Sequence, residues 1–206
     1  MDSKKVIETL ENITKKIDEN KGYLSELDAA IGDGDHGINL SKGFNEVIVA
    51  VRNDENLSVD KILKKAGMTL VSKVGGASGP LYGTGFMKAS MIIKDKNEVN
   101  IEDFIKMLSV ALEGIKMRGK AIEGEKTMID SMAPAIRAME KSFNENKSEK
   151  EIISKGVVGA KIGVEKTKKM IATKGRASYL GERSLGHQDA GATSFTLLLE
   201  GVLESI

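Results

Sequence analysis

Apolar side chains return every three or four residues along most of this chain, and nowhere do they alternate. Val6, Leu10, Ile13 and Ile17 set the pattern, which continues towards Leu24 and Leu27. Ile101, Ile105, Leu108, Leu112 and Ile115 repeat it. That spacing lines one face of an α-helix, whereas a half-buried strand needs a period of two. The fold must therefore be made by packing helices on helices. Aromatic residues are only 4% of the chain, and Pro80 and Pro134 are its two prolines, so strand formers and helix breakers are both scarce.

Read on this basis, the chain has about eight helices. The first ends at the segment LDAAIGDGDHG (27–37), and the second covers 38–52. A third spans 59–73 with Ser58 as its N-cap, and a glycine-bearing helix starts near Pro80, a residue suited to a first turn. Further helices cover 101–117, 127–143, 149–172 and 191–205. Pro134 either kinks its helix or marks its effective start. No linker, low-complexity tract or internal repeat divides the 206 residues, so 1–206 reads as a single domain.

Charge narrows the function. Lys and Arg total 31 against 30 Asp and Glu, a net charge of +1. That balance gives no reason to expect nucleic acid or an anionic membrane as partner. The absence of cysteine excludes disulfides and thiolate metal sites. The charged, amphipathic start MDSKKVIETLENITKKIDEN is not a signal peptide, and no window approaches the ~20 apolar residues of a membrane span. The expectation is a soluble, cytoplasmic protein.

Three glycine-rich segments separate the helices: GDGDHG at 32–37, GGASG at 75–79, and ATKGRASYLGERSLGHQDAGATS at 172–194. In a helical bundle such loops can gather at one end. Gly32, Gly34 and Gly37 spell a dinucleotide fingerprint, but that motif needs a preceding strand, and Asp33 and Asp35 would repel a pyrophosphate. A calcium loop fails as well, because Ile38 falls where its turn glycine belongs and Phe44 where its bidentate Glu belongs. A Walker A motif is absent.

What remains is Asp28, Asp33 and Asp35, three carboxylates that need protons or cations when brought together. Hard oxygen ligands suit Mg²⁺, which also binds substrate phosphates. Two Mg²⁺ ions, three aspartates and a nucleoside diphosphate sum to roughly −2, so Arg176 or Lys174 is expected nearby. The bland alternative is a solvated acidic turn. GGASG reads as a phosphate cradle opening a helix at Pro80, with Ser78 as hydroxyl donor, or as a plain turn. Asp189 either caps the last helix or contacts a ligand. His187 reads as a hydrogen-bonded loop residue, and His36 as a polar contact rather than the basis of a metal site.

Taken together and in order, D-x-x-x-x-D-x-D-H-G, GGASGPLYGTG, RGKAIEGEKTM and GRASYLGERSLGHQDAGATS resemble one family. The chain is similar, from about residue 5 to 205, to the nucleotide-binding L subunits of dihydroxyacetone kinases and to the C-terminal domain of the single-chain ATP-dependent kinases. The resemblance implies an all-α antiparallel barrel of eight helices with the nucleotide at one end. It implies that Asp28, Asp33 and Asp35 hold two Mg²⁺ ions bridging to the phosphates. His36, Gly37, Ile38 and Asn39 would line the nucleotide, and Ala77 and Ser78 would contact its phosphates. Gly119 and Met128 would border the adenosine, Arg176 would approach the phosphates as the catalytic residue, and Asp189, Ala190 and Gly191 would close the pocket. Family members often carry proline where Ala190 stands.

The family also implies partners. A separate K subunit holds dihydroxyacetone, and a phosphotransferase M subunit rephosphorylates ADP in place. A stand-alone chain of this length fits that branch, and would be inactive alone. The rival readings are a related kinase using free ATP or another acceptor, such as a fatty acid on a carrier protein or another ketose, and a Mg-ADP-binding module docking on a transcriptional regulator.

Overall fold

Polar side chains that take over free amides mark where several helices begin. The computed structural model describes residues 1–54 and 56–206. Its elements are α1 (Ser3–Ile31), α2 (His36–Val51), α3 (Val59–Lys73), α4 (Ser78–Ile92), α5 (Ile101–Gly119), α6 (Ile129–Asn144), α7 (Glu149–Thr167), a 3-10 stretch (Arg176–Ser184) and α8 (Ala190–Leu203). Asp2 caps α1, and Asp189 caps α8. Asn100 with Asp103, and Ser148 with Glu151, form reciprocal capping boxes on α5 and α7. Ser58 does stand at the N-cap of α3, but its hydroxyl makes no capping bond.

Each helix packs on the next, and α8 packs on α1, so the eight close into a ring. Successive helices run antiparallel, with short connections everywhere but between α7 and α8, which residues 168–189 join. This is the expected all-α barrel, and no strand occurs among the described residues. Ile17, Leu24, Leu40, Val47, Ile62 and Leu70 are fully buried. Phe44 meets Tyr82 and Phe86 edge-on at 6.2 Å between centroids. The middle of the ring keeps an apolar cavity of ≈ 120 Å³ among Leu10, Leu63, Phe104, Met107 and Phe195. No described helix is long and apolar enough to cross a membrane.

Pro134 lies inside α6, five residues after its start, rather than opening it. Proline has no N–H, so the carbonyl four residues back, at Asp130, loses its helical partner. Helix α7 closes over this spot. A Cβ on Gly163 would lie 2.0 Å from that carbonyl oxygen, so only glycine permits the approach.

Several boundaries differ from the sequence reading. Helix α1 runs on through Asp28 to Ile31, α2 starts at His36, and α8 spans 190–203. Helix α7 stops at Thr167 although Met170, Ile171 and Ala172 prolong its apolar pattern. Residues 176–184 form 3-10 turns kinked at Gly181.

Candidate nucleotide and metal site

Antiparallel alternation puts the C-termini of α1, α3, α5 and α7 and the N-termini of α2, α4, α6 and α8 at one end of the barrel. A cleft of ≈ 500 Å³ opens there, with its lining drawn from all three glycine-rich segments and from the α5–α6 connection. Four helix N-termini aim free amides and positive dipole ends towards this end, which favours an anion.

The acidic cluster forms one edge of the cleft. Asp28 belongs to the last turn of α1, and its Oδ2 accepts from the backbone N–H of Asp35 (3.0 Å) and of His36 (3.3 Å). These bonds fold residues 32–35 back over the helix end, with Gly34 turning at φ +76°. The result brings carboxylate oxygens of Asp28, Asp33 and Asp35 within 4.8 Å of one another. Asp33 and Asp35 are exposed and Asp28 is partly so. Arg176 Nη2 reaches Asp33 Oδ2 at 2.8 Å. Lys174, the other candidate cation, pairs with Glu125 at 3.5 Å instead. Three hard oxygen donors converging beside a single guanidinium are a donor set that fits Mg²⁺.

Behind the cluster runs a buried polar chain. Ser194 Oγ donates to Gly191 O (3.0 Å), which leaves its lone pairs to accept from Tyr82 OH (2.7 Å) and His36 Nε2 (2.9 Å). His36 Nδ1 then accepts from Ser78 Oγ (3.0 Å). One consistent set of protons follows, with a neutral imidazole carrying its hydrogen on Nε2. Burial pulls the His36 pKa down, against the opposing pull of Asp28 and Asp35. Both ring nitrogens are committed, so His36 is no metal ligand here. It ties Ser78, in the small-residue loop, to α8.

The neighbouring residues divide. Asn39 lines the cleft and packs its amide 3.2 Å from where a Cβ on Gly75 would lie. Gly75, Gly76, Ala77 and Ser78 line it too, at the amino end of α4. Gly37 and Ile38 do not. Gly37 is buried against α1, where a Cβ would sit 2.0 Å from Lys21 O, and Ile38 is 62% exposed. Gly119 ends α5, and the buried Met128 stands at the N-cap position of α6. Both line the cleft, as do Arg176, Asp189, Ala190 and Gly191.

Asp189 does cap α8, accepting from Ala192 N–H at 2.6 Å. Burial raises its pKa to about 7, opposed by that amide and by Lys126, and helped by the charges on Asp130 and Asp28. Ala190 occupies the first helical position, where proline would lose no hydrogen bond, so its place is compatible with either residue. His187 is exposed, and its contribution is its carbonyl.

Two residues escaped the sequence reading. Asp130 is buried, and its carboxylate accepts from Gly124 N–H and from Thr127 N–H (2.7 Å), holding the loop that carries Met128. Lys126 is only 2% exposed, with its ammonium donating to backbone carbonyls of Thr167 (2.7 Å), Met170 (3.4 Å) and His187. In EGEKTMID both look like ordinary surface charges. The one available signal was a lysine and an aspartate four apart in a glycine-bearing loop.

Comparison with known proteins identifies the family of the chain. The model of the DAK2 domain matches residues 30–204. The chain is 46% identical to the PEP-dependent dihydroxyacetone kinase 1, ADP-binding subunit DhaL, of Listeria innocua, over 95% of this chain and 93% of that one. It is 44% identical to the PTS-dependent dihydroxyacetone kinase, ADP-binding subunit DhaL, of Lactococcus lactis, over 97% and 96%. The native dihydroxyacetone kinase of C. freundii superposes with a TM-score of 0.74 at 25% identity, covering 98% of this chain but 34% of that one. The same kinase solved with AMP-PNP and Mg²⁺ gives a TM-score of 0.73 at 24% identity.

Proposed function

We propose a function from one premise: this chain belongs to the DAK2 domain family. It is the ADP-binding subunit of a dihydroxyacetone kinase, a phosphotransferase whose other functions lie on other chains. The observation that carries the reading is the convergence of Asp28, Asp33 and Asp35 on a cleft that also takes in the amino end of α4.

Acidic phosphates and an acidic cluster repel, so cations must stand between them. Asp28, Asp33 and Asp35 would hold two Mg²⁺ ions. Bound magnesium supplies charge neutralisation on the phosphoryl oxygens. Free amides at Ala77 and Ser78 bind the phosphate chain, and Gly119 and Met128 border the adenosine. His36 and Asn39 line the nucleotide beside them. Gly37 lets α2 approach α1 closely enough to present them, while Ile38 stays at the rim. Asp189, Ala190 and Gly191 close the cleft through the start of α8.

Arg176 is the catalytic residue of this reading. In the structure its guanidinium neutralises Asp33. A carboxylate that turns to a metal frees it to face the transferring phosphoryl group, where a planar donor fork is worth most. No carboxylate or neutral imidazole here is free to act as general base. The acceptor's activation therefore falls to a K subunit that holds dihydroxyacetone, and recharging of ADP in place to an M subunit. The words "PEP-dependent" and "PTS-dependent" in the relatives' names support ADP as a resident coenzyme rather than exchange of free ATP. The cytoplasm is the compartment this reading implies.

Native mass spectrometry after long dialysis in magnesium buffer tests it. One ADP and two Mg²⁺ retained per chain support the coenzyme reading. A chain that arrives empty but takes up Mg-ATP supports the free-ATP alternative, and one that binds neither refutes the site.

A further inference from the structure

We propose that Lys126 is a positioning residue, a tethered cation seated in a nest of three carbonyls that fixes the start of α8 against the cleft. Its ammonium donates to Thr167 O, Met170 O and His187 O. A lysine head has three N–H donors and no acceptor, so this nest satisfies it fully. Nothing of the ammonium is left over for a ligand.

The carbonyls belong to two segments that no helix joins. Thr167 ends α7, where unpaired carbonyls and the negative end of the helix dipole gather. His187 lies two residues before Asp189, the cap of α8. Lys126 thus caps one helix and holds the approach to another. Two further bonds run alongside it: Asp189 N–H donates to Thr167 Oγ1 (3.0 Å), and Gly186 N–H to Lys168 O (2.8 Å). These explain why the chain leaves the α-helix at Thr167 despite the apolar residues beyond.

The backbone marks the same residue. Lys126 sits at φ +61°, in the left-handed region that few non-glycine residues adopt. With Asp130 holding Gly124 and Thr127 on either side, the loop is drawn in so that the ammonium reaches the nest. Lysine is uncommon as a fully buried residue, and a surface lysine in this loop would need none of this. The nest has the composition of a monovalent-cation site, oxygen-lined and uncharged, with its cation delivered by the chain itself.

The nucleotide part of this inference rests on the function proposed above; the positioning part does not. Lys126→Met removes the charge and keeps the bulk. Hydrogen exchange followed by mass spectrometry should show amides 186–192 exchanging about tenfold faster, since three buried carbonyls lose their donor. Mg-ADP affinity should fall by about tenfold in parallel. Lys126→Ala leaves the nest open, and in that variant ammonium chloride should restore both, whereas matched sodium chloride should not. Lys126→Gln, which donates two hydrogen bonds, should fall between the two and serves if the methionine variant does not fold. Unchanged exchange at 186–192, protection lost evenly around the barrel, or no response to ammonium in the alanine variant would overturn the proposal. Failure of the unmodified chain to bind Mg-ADP would instead refute the nucleotide reading, and the exchange pattern would still decide the role of Lys126.

Discussion

Two groups of charges meet at the cleft, and they are built in opposite ways. Asp28, Asp33 and Asp35 stand at its edge, exposed or half-buried, with one guanidinium on Asp33 and too few donors. Lys126 and Asp130 lie beneath, with backbone partners for each. The first group is unfinished as a structure, which is what a binding site for cations requires. The second is complete, which is what a scaffold requires. Charge left unsatisfied is available for function, whereas charge that is satisfied holds shape.

Substitutions can break this contrast. Asp33→Ala has the largest expected effect: titration calorimetry should find Mg-nucleotide binding abolished, while the melting temperature stays level, because relief of like charges offsets the loss of an exposed ion pair. A large drop in stability would make the edge group structural. Arg176→Ala comes next. With the K and M subunits added, turnover should fall about 10²-fold, as for loss of one transition-state donor, with unfolding free energy unchanged within about 0.5 kcal/mol.

Asp130→Ala should show the reverse profile. It orphans the amides of Gly124 and Thr127, and urea unfolding should report a loss of about 2–3 kcal/mol. A stability change below ~0.5 kcal/mol would mean that the buried group holds nothing.

The smallest effect is a pH slope. In the fold Asp189 keeps its proton up to about pH 7, while the unfolded chain releases it near 3.8. Between those values the folded chain binds the extra proton, so stability declines as pH rises and levels off above about 7. Asp189→Asn should flatten that decline in metal-free protein, as read by melting temperature between pH 4 and pH 7. A parallel slope in the variant would assign the dependence elsewhere.

Helix type and order could be read from the chain because local signals agreed with the packing. Apolar periodicity along 6–17 and 101–115 falls on buried faces, and Asp189 caps α8, one of the two roles its position allows. The convergence of the acidic trio could be read too, because its segment occurs together with two other glycine-rich loops rather than alone. Lys126 and Asp130 could not. Their burial depends on α7 and the 186–189 segment arriving from far along the chain, and a lone sequence does not tell a buried lysine from a solvated one. The end of α7 is hidden in the sequence for the same reason: its stop is set by partners at Lys126 and Asp189, not by its own residues. The resemblance puts Gly37 and Ile38 beside the nucleotide, and the register of α2 buries the first and turns the second outward.

The alternating direction of the helices has a practical meaning for handling the molecule. An even number of them returns the chain to the face it left. The Met1 amine is bound to Val99 O, just before α5 begins, and Lys150 at the start of α7 donates to Ile206 O. Both chain ends therefore rest on the face away from the cleft, about 43 Å along α1 from Asp28's end of that 29-residue helix. A dye, a surface anchor or a fused reporter attached at either end leaves the cleft mouth open to a docking partner.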